Sequence, residues 1–140
     1  MRAAVKGKGS SSLKILGVTV LTSLDQKALE DIGYNDNAEN LVMRRVHQAL
    51  EAGADGVVAS PLEAAAIRAV VPTSFLVVTP GVRPAGAAAG DQKRIATPAA
   101  ALAAGASHLV IGRPISQASD PVAAARAIMS EIAGVDFRRP

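Results

Sequence analysis

A short run of apolar, largely β-branched residues, then a polar capping group, then a helical apolar period recurs four times along this chain. No other feature of the sequence restricts the fold as strongly. The first run spans residues 13–21 and leads into Thr22-Ser23-Leu24-Asp25-Gln26, where Ser23 with Gln26 three residues on has capping-box form. A longer helix is predicted over residues 38–52. Ala38, Leu41, Val42, Val46, Ala49 and Leu50 recur there at helical spacing, and Gly53 supplies the stop. The second run, residues 56–59, is followed by Ser60-Pro61-Leu62-Glu63: a capping serine, proline at the first helical position and glutamate three on. The third run, residues 74–79, leads into a Gly/Ala-rich loop ending at Thr97-Pro98. The fourth, residues 108–112, precedes a helix opened by Asp120-Pro121 and ending near Ala133. Gly53-Ala54-Asp55-Gly56-Val57-Val58 aligns with Gly105-Ala106-Ser107-His108-Leu109-Val110, each a glycine-ended helix feeding a buried strand.

Continuous apolar strands alternating with helices predict an α/β fold with a parallel sheet covered by helices. Four βα units fit a small doubly wound sheet. They equally fit half of a (β/α)₈ barrel, whose full size is roughly 250 residues. Spacing alone does not choose between them. The domain organisation expected is a flexible N-terminal segment over residues 1–12, the repeat region over 13–134 and a C-terminal tail over 135–140. A short helical stub over residues 2–6 is compatible with the first of these.

Composition removes many functions. The chain has no cysteine, which excludes a disulfide scaffold, a thiolate zinc site and a thiol nucleophile. Two histidines exclude a three-histidine metal site. Tyr34, Phe75 and Phe137 are the only aromatics, too few for a base-stacking platform. The formal charge of +3 is concentrated at the ends: Arg2, Lys6, Lys8 and Lys14 at the start, Arg138 and Arg139 at the finish. These read as solvated ends, so neither nucleic acid nor a membrane surface is an expected partner. No apolar run reaches the length of a membrane span. The basic, Ser-rich start resembles a signal or transit peptide, but no small-residue cleavage site follows and Val18, Thr19 and Val20 are strand formers. A cytoplasmic protein is expected.

Two segments carry chemistry. Val78-Thr79-Pro80-Gly81-Val82-Arg83-Pro84, then residues 85–90, then Asp91-Gln92-Lys93-Arg94 leave the C-terminal end of a strand, where parallel α/β folds place their sites. The small residues have little to pack against and can move. Arg83 and Gln92 flank them, groups suited to gripping an anion and a carbonyl, as a lid over a small ligand requires. The bland alternative is that Arg83, Lys93 and Arg94 are solvated loop charges. In Ile111-Gly112-Arg113-Pro114-Ile115, glycine permits close backbone approach and arginine offers bidentate donors to a phosphate. The alternative there is a turn glycine beside a surface arginine.

Five segments in order resemble the C-terminal half of a bacterial orotidine 5′-phosphate decarboxylase. They are Val18-Thr19-Val20-Leu21-Thr22-Ser23, Gly53-Ala54-Asp55-Gly56-Val57-Val58, Thr79-Pro80-Gly81-Val82-Arg83-Pro84, Gly90-Asp91-Gln92-Lys93-Arg94 and Val110-Ile111-Gly112-Arg113-Pro114-Ile115. The resemblance implies a half (β/α)₈ TIM barrel over residues 13–134, carrying strands five to eight. It implies that Thr22 contacts substrate after strand five and that Arg83 is a phosphate ligand. It further implies that Gln92 bridges phosphate and pyrimidine, and that Gly112 and Arg113 form the phosphate site after strand eight. The family's catalytic lysine and its partner carboxylates, in an Asp-x-Lys-x-x-Asp arrangement, belong to the first half and are expected upstream of Met1. Asp25-Gln26-Lys27 and Asp91-Gln92-Lys93 mimic part of that pattern without its setting. His47, His108, Asp36, Glu39 and Glu51 read as structural or solvated groups and Glu63 as a cap.

The implied reaction converts orotidine 5′-phosphate to UMP and CO₂ in pyrimidine biosynthesis, without a cofactor or metal. This chain would supply phosphate and pyrimidine binding, and alone is expected to be inactive. A half barrel leaves open sheet edges, so a homo-oligomer (a homodimer in the simplest case) or a complementary N-terminal half is the expected partner. Two alternatives stand beside this reading: a non-catalytic half barrel that binds UMP or a sugar phosphate, and a related sugar-phosphate decarboxylase.

Overall fold

A computed structural model describes residues 1–85 and 90–135. The middle of the Gly/Ala stretch and the basic tail with Phe137, Arg138 and Arg139 lie outside the described residues. The elements follow the predicted alternation: α1 (Arg2–Lys8), β1 (Leu16–Val18), α2 (Gln26–Asp31), α3 (Ala38–Glu51), β2 (Gly56–Val58), α4 (Ala64–Val70), β3 (Leu76–Thr79), α5 (Pro98–Ala103), β4 (His108–Leu109), α6 (Arg113–Ser116) and α7 (Pro121–Ile132). The strands are shorter than the apolar runs: the first, second and fourth runs continue past their strands at the carboxyl end, and the third begins two residues before β3.

The four strands form one parallel sheet in the order β1-β2-β3-β4. Gly17, Val57 and Val77 are register partners and so share a face. That face meets the helices: Val57 and Val77 are fully buried in one cluster with Val42, Val46 and Ala49 of α3 and Ile67 of α4. The opposite face carries Leu16, Val18, Val58 and Val78 by the same register, with His108 of β4 beside Val78. It is largely apolar yet open, with Val18 57% and Val110 50% exposed. A sequential parallel sheet with its helices on one side argues against the doubly wound arrangement, which covers both faces.

Local signals explain most boundaries. Asn37 caps α3 by accepting from Asn40 N, and Gly53 stops it at φ +75°. Thr97 and Asp120 cap α5 and α7, each with proline just inside. Two expected caps fall elsewhere. Asp25, not Ser23, caps α2, its carboxylate accepting from Ala28 N; an ionised group there also favours the positive helix end. Ser60 accepts from Leu62 N and shapes a turn before α4, whereas Glu63 makes no capping bond and turns to Arg94. Helix α1 extends through Lys8, whose ammonium bonds both oxygens of Asp55 at 2.7 Å, so this basic residue is not part of a solvated end. Among the described residues, no helix is long and apolar enough to cross a membrane.

Candidate functional site

Every strand delivers its following loop to the same end of the sheet, as parallel order demands. A cavity of about 330 Å³ opens there. Thr22, Arg83, Gln92, Gly112 and Arg113, the five residues singled out in the sequence, all line it. Residues that lie far apart in sequence meet because each follows the carboxyl end of a different strand or belongs to the loop that returns over them.

Thr22 is buried at the end of the β1 loop, and its hydroxyl bonds the side-chain oxygen of Gln92. Its carbonyl accepts from Lys93 N at 3.1 Å and Arg94 N at 3.4 Å, so residues 92–94 are laid against the β1 loop. Gly81 makes this approach possible. Its φ is +76°, and a Cβ there would stand 3.0 Å from the Arg94 carbonyl oxygen and 3.3 Å from both Thr22 Cβ and Gln92 Oε1. Arg83 is buried, with its Nη1 donating to the Val82 carbonyl at 2.8 Å and its backbone N–H to Ala96 at 2.9 Å. The guanidinium is thus held at the cavity wall on a fixed backbone. Gly112 precedes α6 with open space where a side chain would stand. Arg113, half-exposed, bonds the Asp91 carboxylate.

Three charge pairs surround the site. The Arg113 guanidinium holds the Asp91 carboxyl below its ordinary range, and Lys93 does the same to Asp25 across 2.6 Å. Glu63 and Arg94 form a buried pair beneath the cavity; burial pushes the Glu63 carboxyl up while Arg94 pulls it the other way. In neither sequence mimic of the family's acid–lysine pattern does the acid or the lysine line the cavity. Lys27 pairs with Asp31 on the surface of α2, and Lys93 points to Asp25. His47 and His108 are exposed, and neither lines the cavity.

Sequence reasoning passed over Arg94 and Glu63. Arg94 sits in a loop charge run, the usual place for a solvated residue, yet it is only 8% exposed. No periodic pattern marks a loop residue that folds inward, and its partner stands 31 residues away.

The arrangement gathers two guanidinium groups, an amide and a hydroxyl around a cleft at the strand ends. That donor set suits a phosphomonoester joined to a polar ring. The family model described as orotidine 5′-phosphate decarboxylase / HUMPS family matches residues 1–128. An orotidine 5′-phosphate decarboxylase of Rhodopseudomonas palustris is 60% identical over 133 residues, covering 95% of this chain and 57% of that protein. One from a Caulobacter species is 60% identical over 135 residues, covering 96% of this chain and 59% of its own length. Among solved structures, the orotidine 5′-phosphate decarboxylase of Lactobacillus acidophilus superposes with a TM-score of 0.70 at 39% identity, over 89% of this chain and 51% of that one. That of Pyrococcus horikoshii superposes at 0.66 and 31% identity, over 95% and 55%. The chain therefore spans little more than half the length of the relatives it matches.

Proposed function

The chain belongs to the orotidine 5′-phosphate decarboxylase / HUMPS family, and from this premise we propose that it is the phosphate- and pyrimidine-binding half of a decarboxylase acting on orotidine 5′-phosphate. In this reading the four βα units are strands five to eight of a (β/α)₈ barrel. The open apolar sheet face becomes the barrel interior once a complementary N-terminal half pairs with the free edges of β1 and β4.

The observation that carries the proposal is the convergence of Thr22, Arg83, Gln92, Gly112 and Arg113 on one cavity whose described lining contains no lysine and no carboxylate. Arg83 and Arg113 neutralise the phosphate, and Gln92, bonded to Thr22, reaches from phosphate to pyrimidine. Such a site binds and orients. Loss of CO₂ breaks the bond between the carboxyl carbon and C6 and leaves the electron pair on C6, which then takes a proton. The acid for that step comes from the complementary half in this reading. Grip on the phosphate still lowers the barrier, because binding energy remote from C6 holds the ring in its reacting position.

The test is titration of the 140-residue chain with UMP, followed by assay with orotidine 5′-phosphate alone and with the separately expressed first half of the Caulobacter relative. UMP should bind, the chain alone should not turn over, and the added half should restore decarboxylation. Tighter binding of a pentulose phosphate than of UMP would move the chain to a sugar-phosphate decarboxylase. Binding of neither would end the proposal.

A further inference from the structure

Arg94 is the least expected side chain in the molecule. It lies on the returning limb of the loop after β3, two residues past Gln92, and its guanidinium points away from solvent into the space beneath the cavity. Nη2 donates to the carbonyls of Val20 at 3.0 Å and Leu21 at 3.2 Å, at the carboxyl end of the β1 segment. Nη1 donates to Glu63, at the entrance to α4. Its backbone is also engaged: the N–H reaches the Thr22 carbonyl, and its own carbonyl accepts from the Ser60 hydroxyl at 3.4 Å while closing over Gly81. One residue therefore ties the loops after β1, β2 and β3 together directly under the Thr22–Gln92 contact.

This is a poor way to add stability. Taking a guanidinium and a carboxylate out of water costs more than their attraction returns unless every donor is satisfied, and Arg94 Nε has no hydrogen-bond partner among the described residues. An apolar residue would fill the space with less penalty. What an apolar residue lacks is directionality: a planar fork that reads two adjacent carbonyls and one carboxylate admits one placement of the limb.

We propose that the buried Arg94–Glu63 pair is a positioning device that sets the returning limb in register, so that Gln92 stands against Thr22 and over the phosphate position. The proposal rests on the phosphate-binding reading of the cavity. Arg94 acts through Gln92 and touches no ligand itself.

The experiment compares the wild-type chain with Arg94→Met and Arg94→Lys. Hydrogen exchange reads the Lys93 amide, which donates to Thr22, against the amides of α3. NMR titration reads affinity for UMP, uridine and inorganic phosphate. Arg94→Met should lose protection at Lys93 while α3 stays protected. UMP affinity should fall about tenfold or more, and uridine affinity by a clearly smaller factor. Arg94→Lys, which keeps the charge but not the fork, should fall between. Retained protection at Lys93 overturns the proposal. So does an equal fall for UMP and uridine, or loss of protection in α3 for both variants, since each makes Arg94 a residue of the fold and not of the limb. Failure of the wild-type chain to bind UMP counts against the phosphate reading alone; the exchange data then still decide whether Arg94 sets the limb.

Discussion

The two ends of the sheet use the same chemistry to opposite purposes. At the amino ends of the strands, Arg68 on α4 donates to the carbonyls of Gly105, Pro72, Thr73 and Phe75, and Asp55 accepts from Lys8, Lys14 and the Ile15 N–H. These partners are largely backbone groups flanking β1, β3 and β4. At the carboxyl ends the charges pair loop to loop: Arg113 with Asp91, Lys93 with Asp25, Arg94 with Glu63. The first of these joins half-exposed side chains and can be exchanged for a ligand at little cost. One end fixes the frame; the other holds the groups that, in the proposed function, a phosphate would take over.

Substitutions can break that contrast. Arg68→Ala removes donors to four carbonyls and should lower unfolding stability by about 2–3 kcal/mol, read by urea denaturation, without changing UMP affinity in the folded fraction. Arg113→Ala should do the reverse, weakening UMP binding by about 10- to 100-fold in calorimetry while moving the melting temperature little. A comparable loss of stability in Arg113→Ala would erase the distinction.

Acid sharpens it further. Lys8 first, and then the Ile15 N–H, hold the Asp55 carboxyl at about 2, below its unfolded value. Its contribution to folding is therefore complete above the unfolded value, near 4, and disappears as pH falls through about 2. Asp55→Asn should remove that part of the acid dependence, seen as a flatter stability profile between the two values. The smallest effect belongs to Asp91→Asn. With no carboxylate competing for Arg113, phosphate affinity should rise by about two- to fivefold at low salt, and the gain should vanish at high salt.

The strands, the helices and the parallel sheet were legible because periodicity survives in the sequence. The strand order was not, because the same spacing fits a doubly wound sheet. Leu41, Val42, Val46 and Ala49, set at helical spacing, are all buried in α3, and the aligned segments beginning at Gly53 and Gly105 both feed strands. Arg83, Gln92, Gly112 and Arg113 were legible for a related reason, since each βα unit delivers the loop after its strand to one end of the sheet; Thr22 was legible only through the family resemblance. Charge partners were not legible. Asp25 displaced Ser23 as a cap because several polar residues near a helix start compete, and only the chain's entry angle decides among them. Glu63 looked like part of a capping box, and its true partner is set by how a distant loop returns.

The sequential strand order also says something about time. Each new strand docks on the one made just before it, so the sheet can be extended unit by unit as the polypeptide emerges. The bonds that complete the cavity are different: Arg94 must find Val20 across 74 residues of chain. The frame can thus assemble early and locally, whereas the binding cleft comes into being only after three βα units are already in place.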